Sequence, residues 1–109
     1  MNFSERDIQI MDMSAQVVAM NIVKEGLENE MKQIRLDLLE INELMDEIYQ
    51  AQIQNESRES DRNTMDSLNS MFRHYQQVKQ IGEFAIHEYE MRIRMMDELI
   101  ETMRERMRE

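Results

Sequence analysis

The sequence predicts an all-α protein in which two long helices form an antiparallel hairpin. Three observations support this prediction: apolar residues recur with heptad spacing along most of the chain, the heptad phase changes once, and the 109 residues include no proline and only two glycines. Tight β-turns need glycine or proline at defined positions, so the last observation disfavours sheets. A chain of this length also predicts a single domain over residues 1–109.

The first heptad repeat runs from Ile10 to Ile48. Positions spaced alternately three and four residues apart are apolar at eleven of twelve places, and Lys24 is the exception. This spacing aligns the apolar side chains along one side of an α-helix, whereas a strand needs alternation at every second residue. We call this set of positions, in either helix, the seam. In the first helix the seam comprises Ile10, Met13, Val17, Met20, Lys24, Leu27, Met31, Ile34, Leu38, Ile41, Met45 and Ile48.

A second heptad repeat follows, and it is one residue out of phase with the first. Its apolar pattern is interrupted at Lys79 and Gly82. Lysine at a seam position is typical of a register-setting residue or of one whose stem packs while its charge reaches water. The seam of the second helix comprises Met65, Leu68, Phe72, Tyr75, Lys79, Gly82, Ile86, Tyr89, Ile93, Met96, Ile100, Met103 and Met107.

The phase change falls beside the polar run QNESRESDRN at residues 54–63. We therefore expect a helix over about 4–55, a polar loop over about 56–60 and a second helix over about 61–107. Ser4 is the expected N-cap of the first helix, with Asp7 three residues further on. The alternative is one continuous helix through the polar run, since neither glycine nor proline interrupts it there.

Apolar residues beside the seam predict packing between molecules. They widen the apolar side of each helix beyond what a simple two-stranded coiled coil needs, as the helices of bundles do. A four-helix bundle or a coiled-coil oligomer, built from further copies or from a helical partner, buries such wide stripes. The alternative is that the extra stripe is covered within a monomer. The flanking residues are Val23, Leu44 and Ala51 in the first helix, and Met71, Val78, Ala85 and Leu99 in the second.

A second apolar stripe lies outside the seam near the start of the first helix. We call it the outer stripe, and we call two further methionines on the second helix, Met91 and Met95, the methionine pair. An antiparallel hairpin brings these segments to the same end, where eight of the 13 methionines also fall. Methionine adapts to irregular partner surfaces. We therefore expect the outer stripe and the methionine pair to form a protein-docking surface. The outer stripe comprises Ile8, Met11, Ala15, Val18 and Ile22.

Acidic residues outnumber basic ones by 23 to 13, a formal net charge of −10. Direct binding to nucleic acid or to anionic membranes needs clustered lysine and arginine, so neither is expected. Between Arg35 and Arg58 the chain has several acidic residues and no basic one. We call five of these acidic residues the acidic face, and a solvent-exposed helix surface is the simplest explanation for them. The alternative function is an inhibitor that blocks a basic nucleic-acid-binding protein. The acidic face comprises Asp37, Glu40, Glu43, Asp46 and Glu47.

Catalytic and metal chemistry find little support. The chain has no cysteine, and its two histidines, His74 and His87, fall on outer heptad positions. Nucleophilic catalysis needs a nucleophile beside a positioned base, so we expect no enzyme, no cofactor and no resident metal. One alternative is a soft-metal protein, because His87 and the methionine pair follow one another at intervals of four residues. Imidazole and thioether ligands suit Cu(I).

The expected function is therefore non-catalytic protein–protein interaction, as a self-associating adaptor, a chaperone-like partner or a structural coiled-coil component. The expected partners are proteins, either further copies or the helices of another chain. The first residues are polar and acidic, unlike a signal peptide, and the apolar run Val17–Met20 is too short to span a bilayer. We expect a cytoplasmic location, with leaderless export as the alternative.

Overall fold

The computed structural model describes residues 2–56 and 62–109, and almost all of them are helical. Helix α1 spans Glu5–Glu56 and helix α2 spans Arg62–Arg108. The described residues contain no strand. The fold is the all-α two-helix hairpin that the heptad patterns predict, and α1 begins and ends one residue after the expected bounds. Most of the expected loop, residues 57–60, lies outside the described residues.

A reciprocal pair of hydrogen bonds starts α1. The Asp7 backbone N–H donates to Ser4 Oγ at 3.1 Å, and the Ser4 backbone N–H donates to Asp7 Oδ2, also at 3.1 Å. The Ile8 N–H donates to the Ser4 carbonyl oxygen at 3.1 Å. Side-chain oxygens thereby satisfy N–H groups that have no partner within the first turn of a helix. This arrangement is the cap that the sequence predicts.

The chain divides into two compact units. The first unit consists of Met1–Met31 and His87–Glu109, and the second consists of Lys32–Ile86. Both helices contribute to both units. Each unit is described separately below.

In the first unit the two helix segments run antiparallel. The Arg6 guanidinium donates to the Arg106 carbonyl oxygen, and Ser14 Oγ contacts Met107 Sδ at 3.3 Å. Further along α1, Tyr89 Oη donates to Glu30 Oε2 at 2.7 Å. From the contact at Arg6 to the contact at Glu30, the partner on α2 moves back from Arg106 to Tyr89. The most buried side chains of this unit are Val17 and Ile100, both in the seam.

The second unit shows the same antiparallel pairing. Gln52 Nε2 donates to Asn69 Oδ1 at 2.9 Å, and Leu38 lies against Gly82. A Cβ atom at Gly82 would lie only 2.7 Å from Leu38 Cδ2. The glycine that interrupts the second seam therefore leaves space that Leu38 fills from the opposite helix. Ile48, 6% exposed, is the most buried side chain of this unit.

Burial follows the predicted seam. Every seam position from Ile10 to Ile48 and from Met65 to Met107 is buried or half-buried. Of the seven flanking residues, Val23, Leu44, Met71 and Leu99 are exposed, whereas Ala51, Val78 and Ala85 are half-buried. Assembly into a bundle, which would cover these flanks, stays a prediction. Within the described residues, neither helix has a stretch with the length and apolar character needed to cross a membrane.

Candidate protein-docking surface

The outer stripe is exposed on the first unit. Its members lie at alternate spacings of three and four residues on α1, on the side opposite the seam. The four large members, Ile8, Met11, Val18 and Ile22, have 55–65% of their surface exposed, and Ala15 between them is exposed as well. The stripe begins directly after the capping hydrogen bonds, so a well-formed helix start holds it. These side chains form an apolar ridge that α2 does not cover.

The charged side chains around the outer stripe differ in their engagement with α2. The α1 segment from residue 5 to residue 29 has two basic residues, Arg6 and Lys24, and both bind groups of α2. Its five acidic residues are all exposed. With five acidic and two basic residues, this segment has a formal net charge of −3. These acidic residues are Glu5, Asp7, Asp12, Glu25 and Glu28.

Lys24 carries its charge within the seam. Its Nζ lies 2.6 Å from Asp97 Oδ1 on α2 and 3.9 Å from Glu28 Oε1 one turn further along α1. The hydrogen bond to Asp97 raises the pKa of Lys24 above its usual 10.5, and partial desolvation opposes that shift. The side chain is 27% exposed, so its ammonium group keeps contact with water. Lys24 thus fixes α1 against α2 in the first unit, which is the register-setting role that its seam position indicates.

Tyr89 forms a second polar contact across the first unit. Its hydroxyl donates to the Glu30 carboxylate, and this hydrogen bond is the main cause that raises the pKa of Tyr89 above its usual 10.0. The negative charge of Glu30 acts in the same direction because it disfavours a phenolate beside it. The sequence places Tyr89 in the seam but gives no sign of this partner, since Glu30 lies 59 residues away.

The methionine pair belongs to the same unit as the outer stripe but lies on the other helix. Met91 and Met95 are 49% and 61% exposed. Both occupy heptad positions on the side of α2 opposite its seam. Because the two seams face each other, the outward sides of α1 and α2 face apart. The structure therefore brings the predicted docking residues to one unit as two separate surfaces, the outer stripe on α1 and the methionine pair on α2.

The acidic face lies in the second unit, and all five of its residues are exposed. Asp37 Oδ1 accepts a hydrogen bond from Gln33 Nε2 at 3.0 Å, one turn earlier on α1. Exposed carboxylates on a helix are typical of a solvated surface. The inhibitor alternative also requires exposed carboxylates, because they would have to contact a basic protein.

Three apolar residues that the sequence interpretation did not single out are more exposed than most of the outer stripe: Leu39 on α1, which is 60% exposed, and two residues on α2. Ile81 and Phe84, on α2 in the second unit, are 69% and 64% exposed. Gln77 and Gln80 share with them a shallow surface hollow of about 400 Å³. The signal was present in the sequence, because Phe84 stands one heptad before Met91 and Ile81 stands two heptads before Met95.

No described group of three or more His, Asp or Glu side chains is placed to hold a metal ion. His74 and His87 are exposed, as their outer heptad positions predict. The ring of His74 packs edge-on against Tyr75 with centroids 5.5 Å apart. His87 and the methionine pair lie along the solvent-facing side of α2, so the soft-metal alternative stays a prediction.

Comparison with known proteins gives no relative from which to infer a function: no family model, no curated protein and no solved structure matches this chain.

Proposed function

We propose that this protein is a non-catalytic protein-interaction module that docks its partner along the outer stripe. The proposal rests on one observation: large apolar side chains follow one side of α1 at heptad spacing and are 55–65% exposed. Soluble proteins rarely expose a contiguous apolar surface of this kind unless another molecule covers it. A helix that packs alongside α1 would remove these side chains from water.

Docking by bundle completion fits the geometry. The outer stripe repeats every three and four residues, which is the spacing with which one helix packs against another. Its side chains are aliphatic or thioether groups, which contribute to binding through burial and close contact. A further copy of the chain and a helix of another protein are both partners of this kind. The methionine pair offers a second, smaller surface on α2.

One substitution with a matched control tests the proposal. Val18→Asp places a charge in the outer stripe, and Ala19→Asp places the same charge one residue along, about 100° around the helix. Both sites are exposed, so both variants should keep the helical circular dichroism of the parent chain. We expect Val18→Asp to lose self-association or the capture of a partner protein, and Ala19→Asp to retain it.

The measurements are molar mass by light scattering and quantitative pull-down with the full chain as bait. The proposal fails if Val18→Asp changes neither the mass nor any captured protein. It also fails if Ala19→Asp has the same effect as Val18→Asp, because the loss would then follow from added charge and not from the stripe.

The two alternatives predict different measurements. An inhibitor acting through the acidic face would lose its target when Glu40, Glu43 and Glu47 are changed to glutamine, and its binding would weaken steeply with salt. A soft-metal protein would take up Cu(I) or Ag(I) stoichiometrically and lose that uptake in a His87→Ala, Met91→Leu variant. A cytoplasmic location goes with the main proposal and stays a prediction.

A further inference from the structure

We infer that the outward side of α2 in the second unit pairs two copies of this chain in antiparallel orientation. This contact goes beyond the proposed function, because it uses no residue of the outer stripe. It follows from a stretch of α2 without charge and from two opposite charges along one edge of that stretch. We call the stretch the uncharged face, with histidine counted as neutral at pH 7, and it comprises His74, Gln77, Gln80, Ile81 and Phe84.

The uncharged face occupies the heptad positions of α2 that lie farthest from the seam. All five of its side chains are exposed, and Ile81 and Phe84 are the two large apolar ones. None is aspartate, glutamate, lysine or arginine, although 33% of the residues in the chain are charged. The face extends over about three turns of helix, or about 15 Å. It therefore offers a partner helix apolar and amide groups alone.

The second unit has little buried surface of its own. Among its described residues only Ile48 is buried. Val78 and Ala85, which border the uncharged face, are half-buried. A helix packed on the face would remove Ile81 and Phe84 from water, and the hollow that they share with two glutamines has room for its side chains. Burial of this face would therefore stabilise an assembled form.

The charge of the chain favours a second copy as the occupant. Two molecules of net charge −10 repel each other, so they approach most easily where carboxylates are absent. The outward side of α1 in the second unit carries the acidic face, whereas the uncharged face on α2 carries no carboxylate. A basic partner would gain more from the acidic face than from the uncharged one. A copy of the same charge gains from the uncharged face.

Two charges on one edge of the uncharged face set the orientation. Arg73 and Glu83 lie along the same edge, about 15 Å apart, and both are exposed. Neither forms an ion pair within the described residues. When two copies pack antiparallel about a two-fold axis near the middle of the face, Arg73 of each lies beside Glu83 of the other. A parallel pair would instead place like charges at the same level, so the charges favour the antiparallel orientation.

Sedimentation equilibrium of the full chain tests the contact. We expect a reversible dimer, and we expect Phe84→Asp to raise its dissociation constant at least about tenfold, because a charge would be buried in the face. Leu39→Asp is the matched control, since it adds the same charge on α1 of the same unit at a residue of similar exposure, 60% against 64%. Both sites are exposed, so both variants should keep the helical circular dichroism of the parent chain. Leu39→Asp should leave the dimer intact.

A charge exchange tests the antiparallel register. Arg73→Glu alone and Glu83→Arg alone should each weaken the dimer about tenfold at low salt, because like charges would then meet at both ends of the contact. An equimolar mixture of the two variants should dimerise as the parent chain does, because each glutamate would then meet an arginine of the other molecule. A general effect of net charge predicts opposite changes in the two variants and is thereby distinguished.

Four results would overturn the inference. They are a parent chain that stays monomeric up to about 1 mM, a dimer unaffected by Phe84→Asp, an equal loss in Leu39→Asp, and a mixture of the charge variants that does not recover dimerisation. A dimer that dissociates in Val18→Asp but persists in Phe84→Asp also overturns it, because the second copy would then occupy the outer stripe. The docking function would stand in that case, whereas loss of the α2 contact alone leaves capture of a partner by the outer stripe unchanged.

Discussion

Gly26 and Gly82 both lie in the interior of long helices, where glycine costs stability because it loses the most backbone freedom on folding. A Cβ atom at Gly26 would meet nothing within 4 Å, whereas one at Gly82 would lie 2.7 Å from Leu38 Cδ2. Gly82 therefore has a packing role within the second unit, and Gly26 has none within the first.

Alanine at the two glycines should consequently act differently. Gly26→Ala should stabilise the chain by about 0.4–1 kcal/mol, mainly because alanine restricts the unfolded state. Gly82→Ala should be less stable than Gly26→Ala, because the gain in helix propensity is offset by displacement of Leu38. Urea denaturation followed by circular dichroism measures both values. Equal stabilisation at the two sites would contradict the packing role of Gly82.

The polar contacts of Lys24 and Tyr89 predict a loss of stability at alkaline pH. The pKa of each group is raised by folding, from 10.5 for Lys24 and from 10.0 for Tyr89. A group whose pKa is higher in the folded state stabilises that state below its unfolded pKa, and this contribution disappears as the pH rises through the folded pKa. We therefore expect the melting temperature to fall above about pH 10.

A single variant tests the tyrosine part of that loss. Tyr89→Phe removes the hydroxyl that donates to Glu30, so the alkaline decrease in melting temperature should be smaller than in the parent chain. It should also remove from the ultraviolet titration a component that ionises above the usual pKa of tyrosine. A curve that loses amplitude but keeps its shape and midpoint would show that the hydrogen bond to Glu30 does not hold the phenol in solution.

At the scale of the helix, each helix is held by its seam, and each has apolar residues on its outward side that the packing between the helices does not cover. Ile100 is 4% exposed and Ile22 is 65% exposed. Truncation to alanine removes the same atoms at both sites. Ile100→Ala should cost about 2–5 kcal/mol of unfolding free energy, because it leaves a cavity in the seam. Ile22→Ala should change the unfolding free energy by about 0.5 kcal/mol or less.

Urea denaturation of the two isoleucine variants, with equal chain concentrations, provides the comparison. A large loss in Ile22→Ala that depends on chain concentration would indicate that association covers the outer stripe. That result would favour a second copy as the partner. Similar losses at both sites without concentration dependence would contradict the burial difference itself.

The two helices could be predicted from sequence because a heptad repeat of apolar residues indicates which side of a helix is buried. Most seam residues are apolar, and the seam positions are the ones that the structure buries or half-buries. The exceptions could not be interpreted from sequence. The role of Gly82 depends on its contact with Leu38. The role of Lys24 depends on its ion pair with Asp97, which lies 73 positions further along the chain. Such pairs depend on the register between helices, which a repeat along one helix does not specify.

The sequence predicts which residues belong to the candidate docking site, but it does not predict how they are arranged in space. Apolar residues outside the seam identify the outer stripe and the methionine pair, and all are exposed. Their separation onto outward sides of different helices follows only from the antiparallel pairing in three dimensions. The methionine pattern does not include Ile81 and Phe84, although both occupy equivalent outward positions of α2.

At the scale of the molecule, the net charge of −10 is the dominant electrostatic property. The charge is uneven, since residues 1–57 hold 12 acidic and 4 basic residues. Repulsion among like charges disfavours the folded state, and dissolved salt screens it. The melting temperature should therefore rise by a few degrees between about 20 mM and about 300 mM sodium chloride. A fall over that range would show that attractive pairs such as Lys24–Asp97 outweigh the repulsion.

The exposure of methionine outside the seam has a chemical consequence. Met11, Met91 and Met95 are about half exposed or more, whereas Met13 and Met20 are half-buried in the seam. Peroxide oxidises accessible thioethers first and converts them to polar sulfoxides. Mild oxidation would therefore make the outward surfaces of α1 and α2 hydrophilic before it reached the contacts between the helices. Methionine sulfoxide reductases would restore the thioethers, so the oxidised protein would recover its original surface without unfolding.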